Sequence, residues 1–560
     1  MSERPSVTSR YRAQQAADME PLDAVMPPDG LSVRQRQILE LLRAGKVNKE
    51  IANDLGIGLG TVKQHVVALF KKLNVRNRTM AVSVTTGPSD RHGEAFIDDG
   101  QLEKRPCVVV SFALTPDALE ESARRLHRVL ADHAYDQNMV FLSRHEQGGD
   151  LILGVQQASE LAHFQSLHIV ASIVRDLNAV GMDTRHELKA GVNAGLAIAS
   201  MRRFGGWSGE ALVSAIIAQA RALAEKGPPG HLLLGAEACS LFESLGPTTR
   251  PHFAATLAFD ALDHVPWRFD PNMAGTEALF GREDELAELT QSIKRAARGG
   301  SGARIHIDAE TGMGKSRLCR AAIGLTMNLG GEWKYLFCQA VTGGCSVHDA
   351  AEGCTVALAE LPCALAFSGS GKLPMLCVID DAHLLPEEVR SDLLRKPLAD
   401  GQVLLLTGRR QAGEASLFSK TIHLGRLPSS ACQAIVRTVR PEIESRDAQE
   451  IAEQAGGVPL FAAELAKANG ALPLSLRLVV AGRMDRLGLD RQLLRCLART
   501  PGSWSAAQLV AGMHEPRDKT VAAAEQALAA GVLKRDDQER YHYSHPLLRQ
   551  AVLQSEVDKL

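Results

Sequence analysis

In the run IDAETGMGKSRL, residues 307–318, two glycines stand just ahead of a lysine and a serine. A loop that wraps phosphate needs backbone N–H groups turned inward, a lysine ammonium for the outer phosphates and a hydroxyl for Mg2+. Gly312, Met313, Gly314, Lys315 and Ser316 offer these groups in order, and Arg317 follows on the first helical turn. The run departs from the spacing G-x-x-x-x-G-K-S at its first position, which is Ala309. That position only begins the turn, whereas close approach to phosphate falls at residues 312–316, so one extra methyl group is expected to leave the loop intact. Further along, MLCVIDDAHLL is an apolar strand ending in two carboxylates, Asp380 and Asp381. Asp380 is suited to organising Mg2+ through water, and Asp381 to orienting an attacking water. The next apolar strand, VLLLTGRR, delivers Arg409 towards the γ-phosphate edge. Strand, loop and carboxylates in this order point to a site for ATP or ADP with Mg2+, Ser316 and Asp380 being the metal-side groups.

These groups must be carried by a sheet flanked by helices. ARIHID supplies the strand before the loop, and SRLCRAAIGL opens the helix whose positive end faces the phosphates. At 560 residues the chain exceeds what one hydrophobic core supports, so several domains are expected. Residues 1–30 mix polar groups, proline and glycine without a period and read as a flexible arm. Helical spacing gives an all-α module at 31–85, and a polar linker follows at 86–102. β-rich runs alternate with helical segments over 103–265, an α/β pattern, and a second α/β region occupies 275–428. The remainder, 429–480 and 481–560, is almost wholly helical.

Composition narrows the function classes. Lysine and arginine (63) nearly balance aspartate and glutamate (65), which excludes the whole surface as a nucleic-acid or membrane binder. The first residues carry no apolar stretch of the signal-sequence kind, and no run approaches about 18 consecutive apolar residues. A cytoplasmic protein with no membrane partner is expected. Ten cysteines occur without a C-x-x-C pair and read as reduced core thiols. Cys338, Cys345, Cys354 and Cys363 crowd one region with His348, where a thiol sensor or metal site is the alternative.

One segment is locally basic. Within residues 31–82, ten lysines and arginines accompany three acids, a balance of +7 on a chain of net charge −2. A small positive module on an otherwise acidic chain is the footprint of a part that meets phosphate. The run NKEIANDLGIGLGTVKQHVVALFKKL has helix-turn-helix grammar: a short helix, a turn containing glycine, Thr61 as N-cap and a second helix. Val62, Val66, Leu69 and Leu73 form its inward stripe, leaving Lys63, Gln64 and Val67 outward where base edges in a major groove would be met. Lys71 and Lys72 are placed for backbone phosphates. A basic helical module that binds protein or RNA is the alternative. The stretch from LSVRQRQILELL to KKLNVRNRTMAV resembles the DNA-binding domain of the LuxR family of transcription regulators. That resemblance implies that the helix at TVKQH is the recognition helix and that KKLNVRNR, with Arg76 and Arg78, touches the DNA backbone. Gln35 stands where the family usually has Glu.

Two further resemblances concern the rest of the chain. With LFGREDEL before the loop and AGGVPLFAAEL after the core, the region resembles the signal-transduction ATPases called STAND proteins, related to the AAA+ class. The resemblance implies Gly281 and Arg282 near the adenine, the turn Gly457-Val458-Pro459 packed on the nucleotide in a helical lid, and a winged-helix region at the end, with His545 as a phosphate sensor. A lone histidine of this kind is otherwise structural. GGDLILGV, LKAGVNAGLAIA and the run from RFGGWSGEALV to LLLGAEA resemble class III nucleotide cyclases, whose fold is ferredoxin-like. Those enzymes need two aspartates for two metals and an Asn/Arg pair for ribose and developing charge. Asp150 matches the second ligand, Leu114 takes the place of the first, and Ala215 and Gln219 align with the pair, so cyclisation is not expected and a pairing or sensing role is.

The combined expectation is a multidomain protein: an all-α helix-turn-helix, an α/β cyclase-like domain, an α/β P-loop NTPase domain, a helical lid and a winged helix. It implies a regulator of transcription that binds double-stranded operator DNA as a homo-oligomer, contacts the transcription machinery and is switched by ATP binding and slow hydrolysis. A cyclase signalling enzyme is the rival reading.

Overall fold

Among the described residues of the computed structural model, apolar runs with period two or with continuous burial form strands, and runs with helical spacing form helices. The structure describes residues 33–43, 51, 55, 62, 65, 66, 69, 101–144, 148–243, 256–264, 278–341, 344–349, 355–361, 374–409, 414–468 and 472–557. Two compact units result, Met1–Glu94 and Ala95–Leu560.

In the first unit, α1 (Val33–Arg43) buries Ile38, Leu39 and Leu42. Ile51, Val62, Val66 and Leu69 are buried as well, so three members of the expected inward stripe face a core; Leu73 lies outside the described residues. Arg34 donates to the Leu55 carbonyl at 2.7 Å, so one of the ten basic groups braces the module from within.

The first described element of the second unit is β1 (Gln101–Leu114), which begins two residues before the domain start expected at 103. Then come α2 (Glu120–Asp136), β2 (Val140–Ser143), β3 (Gly148–Leu153), α3 (Ala162–Ala179), β4 (Leu188–Met201), β5 (Trp207–Val213), α4 (Ala215–Lys226), β6 (His231–Leu234), α5 (Ala236–Glu243) and β7 (Thr256–Ala258). The sheet runs β2-β3-β1-β4-β6-β7, with β5 added to β4. Along β1, Val108, Val110 and Phe112 enter the core shared with α2 and α3, while Cys107 and Val109 enter a core with α4. The alternation of side chains along a strand assigns these two faces.

A second sheet follows, built from α6 (Glu283–Ala297), β8 (Ala303–Asp308), α7 (Lys315–Asn328), β9 (Glu332–Val341), β10 (Gly344–Asp349), β11 (Thr355–Val356), β12 (Met375–Asp380), α8 (Glu387–Arg395), β13 (Gln402–Gly408) and β14 (Lys420–His423). Its order is β11-β10-β9-β12-β13-β8-β14, and β9, β12, β13, β8 and β14 are parallel. All six residues of β12 are buried, as a parallel strand covered on both faces requires. The C-terminal ends of β8, β12 and β13 therefore open on one edge, where a parallel sheet places ligands.

The rest is helical: α9 (Ser429–Val439), α10 (Ser445–Gln454), α11 (Pro459–Lys467), α12 (Leu474–Arg486), α13 (Arg491–Arg499), α14 (Ala506–Met513) and α15 (Arg517–Ala529). A hairpin of β15 (Leu533–Arg535) and β16 (Tyr541–Tyr543) and then α16 (Pro546–Ser555) complete it. Residues that sequence reading divides among several domains thus share one unit, for a reason visible between the first strand and these helices. Glu103 accepts from Arg491 at 2.7 and 2.9 Å and also from Arg495, while Asp485 accepts from Arg105 and Arg491 and from the Ala158 N–H at 2.7 Å. All five charged side chains are at least nine-tenths buried. Among the described residues no helix is long and apolar enough to cross a membrane.

Candidate functional site

The loop between β8 and α7 has the shape its residues require. Gly312 and Gly314 hold φ of +85° and +95°, conformations that cost an L side chain strain. Ala309 is absent from the positive-φ residues and packs against the core, so the methyl group at this position is accommodated. Gly314 caps α7, whose first turn carries no acid, and a Cβ on Gly314 would meet only open space. The helix thus presents unpaired N–H groups and a positive dipole end to that space. Lys315 is buried and folds back over its own loop, donating to the carbonyls of Ala309 at 3.3 Å and Glu310 at 3.1 Å. Ser316 donates to Asp380 Oδ2 at 2.6 Å, which joins the two motifs across the edge of the sheet. Arg317 follows in the first turn of α7, partly buried.

The carboxylates differ in setting. Asp380 is completely buried, whereas Asp381 is half-buried and sits at φ +55°, a strained value for a residue other than glycine. The Asp381 N–H donates to Thr407 Oγ1 at 3.0 Å, so the ends of β12 and β13 are stitched together. His383 packs on the backbone of Gly408, and burial pushes its imidazole down to about 4. The donor set of Ser316 hydroxyl beside Asp380 fits a Mg2+ that takes its remaining oxygens from nucleotide and water. Among the described residues no group of three or more His, Cys, Asp or Glu side chains is arranged to hold a metal by itself.

The flanking motifs reach the loop from two sides. Arg282, buried, donates to Gly425 O at 2.5 Å, to Met313 O at 3.4 Å and to Glu285 at 2.9 Å. Its neighbour Gly281 takes φ +64°. Pro459 opens α11, and the next N–H, that of Leu460, donates to Gly312 O at 3.2 Å. Gly457, at φ +80°, donates nothing by way of a side chain: a Cβ there would strike the Leu427 carbonyl at 2.7 Å.

Two expected groups are engaged by the C-terminal helices. Arg409 donates to the carbonyls of Ala529 at 3.3 Å and Ala530 at 3.1 Å. The C-terminal end of α15 carries partial negative charge and attracts the guanidinium. His545 caps α16: its Nδ1 accepts the Leu547 N–H at 3.1 Å, and its Nε2 lies 3.0 Å from Ala455 O. Both nitrogens are engaged, so the imidazole is a structural group here. Sequence reasoning also missed Arg483, which donates to Ala530 O at 2.7 and 3.2 Å; no motif marks it.

In the first sheet the place opposite Asp150 is taken by Ser111, which donates to it at 2.7 Å, and not by Leu114. Leu114 points to the other face of β1. Arg221 places Nε and Nη2 at 2.9 and 2.7 Å from Asp150, two residues beyond the expected Gln219, which instead accepts from Asn193 at 2.8 Å. Arg144 Nε stands 3.5 Å from the same carboxylate. Guanidinium groups therefore occupy the surroundings of a buried acid that a metal would need. Ala215 is simply the first residue of α4, after the N-cap Ser214. A cavity of about 720 Å3 opens nearby, lined in part by Leu114, Leu119, Arg144 and Glu225.

Of the cysteine cluster, Cys338 and Cys345 lie on adjacent strands, and contact with Cys345 and burial hold the Cys338 thiol well above its ordinary value. His348 stacks on Phe337 and pairs with Ser346 at 2.8 Å, while Cys354 and Cys363 lie outside the described residues. Thr61, Lys63, Gln64, Val67, Lys71, Lys72, Arg76 and Arg78 also lie outside them.

Comparison with known proteins bears first on the small unit. Residues 29–85 match the family model described as bacterial regulatory proteins, luxR family, so this segment is a LuxR-type helix-turn-helix domain. The chain is 53% identical over 53 residues to the CsgBAC operon transcriptional regulatory protein of Escherichia coli, covering 10% of this chain and 24% of that protein. It is 43% identical over 56 residues to the transcriptional regulatory protein LiaR of Bacillus subtilis, covering 10% and 26%. The chain thus spans about a quarter of the length of the curated relatives it matches. Among solved structures, the Holliday junction branch migration motor RuvB of Thermotoga maritima aligns with a TM-score of 0.31 at 18% identity, over 50% of this chain and 96% of that chain. The adenylyl cyclase CyaB from P. aeruginosa aligns with a TM-score of 0.21 at 12% identity, over 26% and 83%.

Proposed function

We propose that this chain is a DNA-binding transcription regulator whose activity or assembly is switched by ATP and ADP at the loop around Lys315. The observation that carries the DNA half is the match of residues 29–85 to the LuxR-type domain. The nucleotide half is supported by the joining of Ser316 to Asp380 beneath a glycine loop at a helix start free of acids. ATP with Mg2+ supplies a γ-phosphate and a dication that hold loop elements together until hydrolysis releases them. This chain contributes the backbone of residues 312–316, the Lys315 ammonium, the Ser316 hydroxyl and the Asp380 carboxylate as the binding groups. Asp381 orients water for slow hydrolysis. Arg409 and Arg483 tie the C-terminal end of α15 to the nucleotide core and the helices after it, so that a change at the loop reaches residues 481–560. In this reading 103–265 is a non-catalytic cyclase-like domain for pairing or sensing, because Asp150 is engaged by Ser111 and Arg221. Residues 275–428 form the ATPase core, 429–480 the lid and 481–560 a winged-helix-like domain. The working form is a homo-oligomer on promoter DNA in the cytoplasm, in contact with the transcription machinery.

The test uses the full chain with ATP and with ADP on operator DNA selected from genomic fragments. Operator affinity should differ between the two nucleotides, and Asp381→Asn should hold the ATP-type value because turnover is slowed. Equal affinity in both nucleotide states removes the switch.

A further inference from the structure

Among the described residues, four donors meet the two oxygens of the buried Asp380 carboxylate. Oδ1 accepts the Thr407 hydroxyl and the Asp381 N–H, the latter at 3.1 Å. Oδ2 accepts the Ser316 hydroxyl at 2.6 Å and the Tyr335 hydroxyl at 2.7 Å. Ser316 and Asp381 belong to the two motifs already described, and Thr407 is the last residue but one of the neighbouring strand β13. Tyr335 belongs to no motif. It stands on β9, where the register pairs it with Val378, two residues before Asp380 on the same face of the sheet. Its ring is completely buried, and its hydroxyl ends on the carboxylate from the side opposite β13.

We propose that Tyr335 is a positioning residue for the Mg2+ side of the nucleotide site, a role that rests on the nucleotide reading above. The carboxylate turns about a soft sp3–sp2 torsion, so the donors around it set its aim. Thr407 and the Asp381 N–H hold Oδ1. On Oδ2, Ser316 is the donor that must turn its hydroxyl towards the metal when Mg2+ and nucleotide enter. Tyr335 then remains to fix that oxygen and to offset the burial of its charge. A buried hydrogen bond to a charged acceptor is worth enough to change a binding constant by roughly tenfold or more.

Tyr335→Phe keeps the ring and removes one hydroxyl. ATP binding to the full chain is titrated by calorimetry in EDTA and again over a range of Mg2+ concentrations. With Mn2+ in place of Mg2+, electron paramagnetic resonance reads the ligand field of the bound ion. The expected result is ATP affinity unchanged in EDTA, roughly tenfold more Mg2+ needed for half-maximal strengthening of binding, and altered Mn2+ lines. Thr407→Ser keeps its hydroxyl and should match the wild type, whereas Thr407→Val should raise the Mg2+ requirement as Tyr335→Phe does. A Mg2+ requirement equal to or below that of the wild type in Tyr335→Phe overturns the proposal. If that variant does not fold, an unchanged requirement in Thr407→Val overturns it, because donors then do not aim the carboxylate. Wild-type protein that binds no ATP, or binds it without response to Mg2+, defeats the nucleotide reading itself before any variant is compared.

Discussion

One methyl group separates Ala309 from the glycine that usually opens a phosphate loop, and the structure shows why it is tolerated. Its backbone stays out of the left-handed region, and its carbonyl serves as an acceptor for Lys315. Lys315 is a different case, since its ammonium rests on two loop carbonyls and, in the nucleotide reading proposed above, is the charge that meets the phosphates. Lys315→Ala should therefore weaken ATP binding by at least a hundredfold, about 2.7 kcal/mol, while Ala309→Gly should leave it within about threefold. Isothermal titration of both variants checks this, and unchanged affinity in Lys315→Ala would mean the nucleotide sits elsewhere. The glycine turn before Lys315 and Ser316 and the strand ending in Asp380 were legible because a loop at a helix start and a buried strand end keep fixed local spacing. Tyr335, Thr407 and Arg221 were not, because each meets its acid from another strand or helix, and nothing in the adjacent sequence records that approach.

Among elements, the helices that end the chain show how position alters the use of a residue. Arg409 follows a strand whose end opens on the loop's edge, and its guanidinium bonds the last carbonyls of α15, where the helix end carries partial negative charge. His545 is placed by the resemblance at a phosphate but caps α16 instead. Burial lowers its imidazole to about 4, against roughly 6.5 in an unfolded chain. As pH falls below about 6.5 the unfolded chain takes up a proton that folded His545 refuses, so this group's contribution declines towards pH 4 and then levels off. His545→Asn keeps an acceptor at the cap and removes this titration. Burial pushes His163, His168, His348 and His383 down as well, so the variant should lessen the decline between those pH values and not abolish it, as urea unfolding at pH 7, 5.5 and 4.5 would read; an identical slope would place the acid sensitivity wholly in the other groups. Element types were legible from period and burial, but not which element an end would be docked against. Helical spacing announces α15 and α16 without naming their partners.

At the scale of the molecule, sequence reading separates 103–265 from 481–560, whereas the structure joins them through buried charges. Linker composition is a local signal, and the pairs Glu103–Arg491 and Arg105–Asp485 span more than 370 residues of chain. Glu103→Gln keeps the shape of the side chain and leaves Arg491 and Arg495 short of compensation. The loss should approach about 3 kcal/mol, since a buried pair deprived of one partner is strongly destabilised. Thermal unfolding should shift downward, and amide exchange should rise at both β1 and α13; a rise at only one would show that the network does not link them. These charges also bear on the order of synthesis. Glu103 is made 388 residues before Arg491. At about 5–20 residues per second the ribosome takes roughly 20–80 seconds to supply that partner. Through that interval residues 108–113 of β1 already have β3 and β4 to pair with, whereas Glu103 and Arg105 at its other end lack the charges that bury them, so that end of the strand stays in water until the chain has passed residue 491.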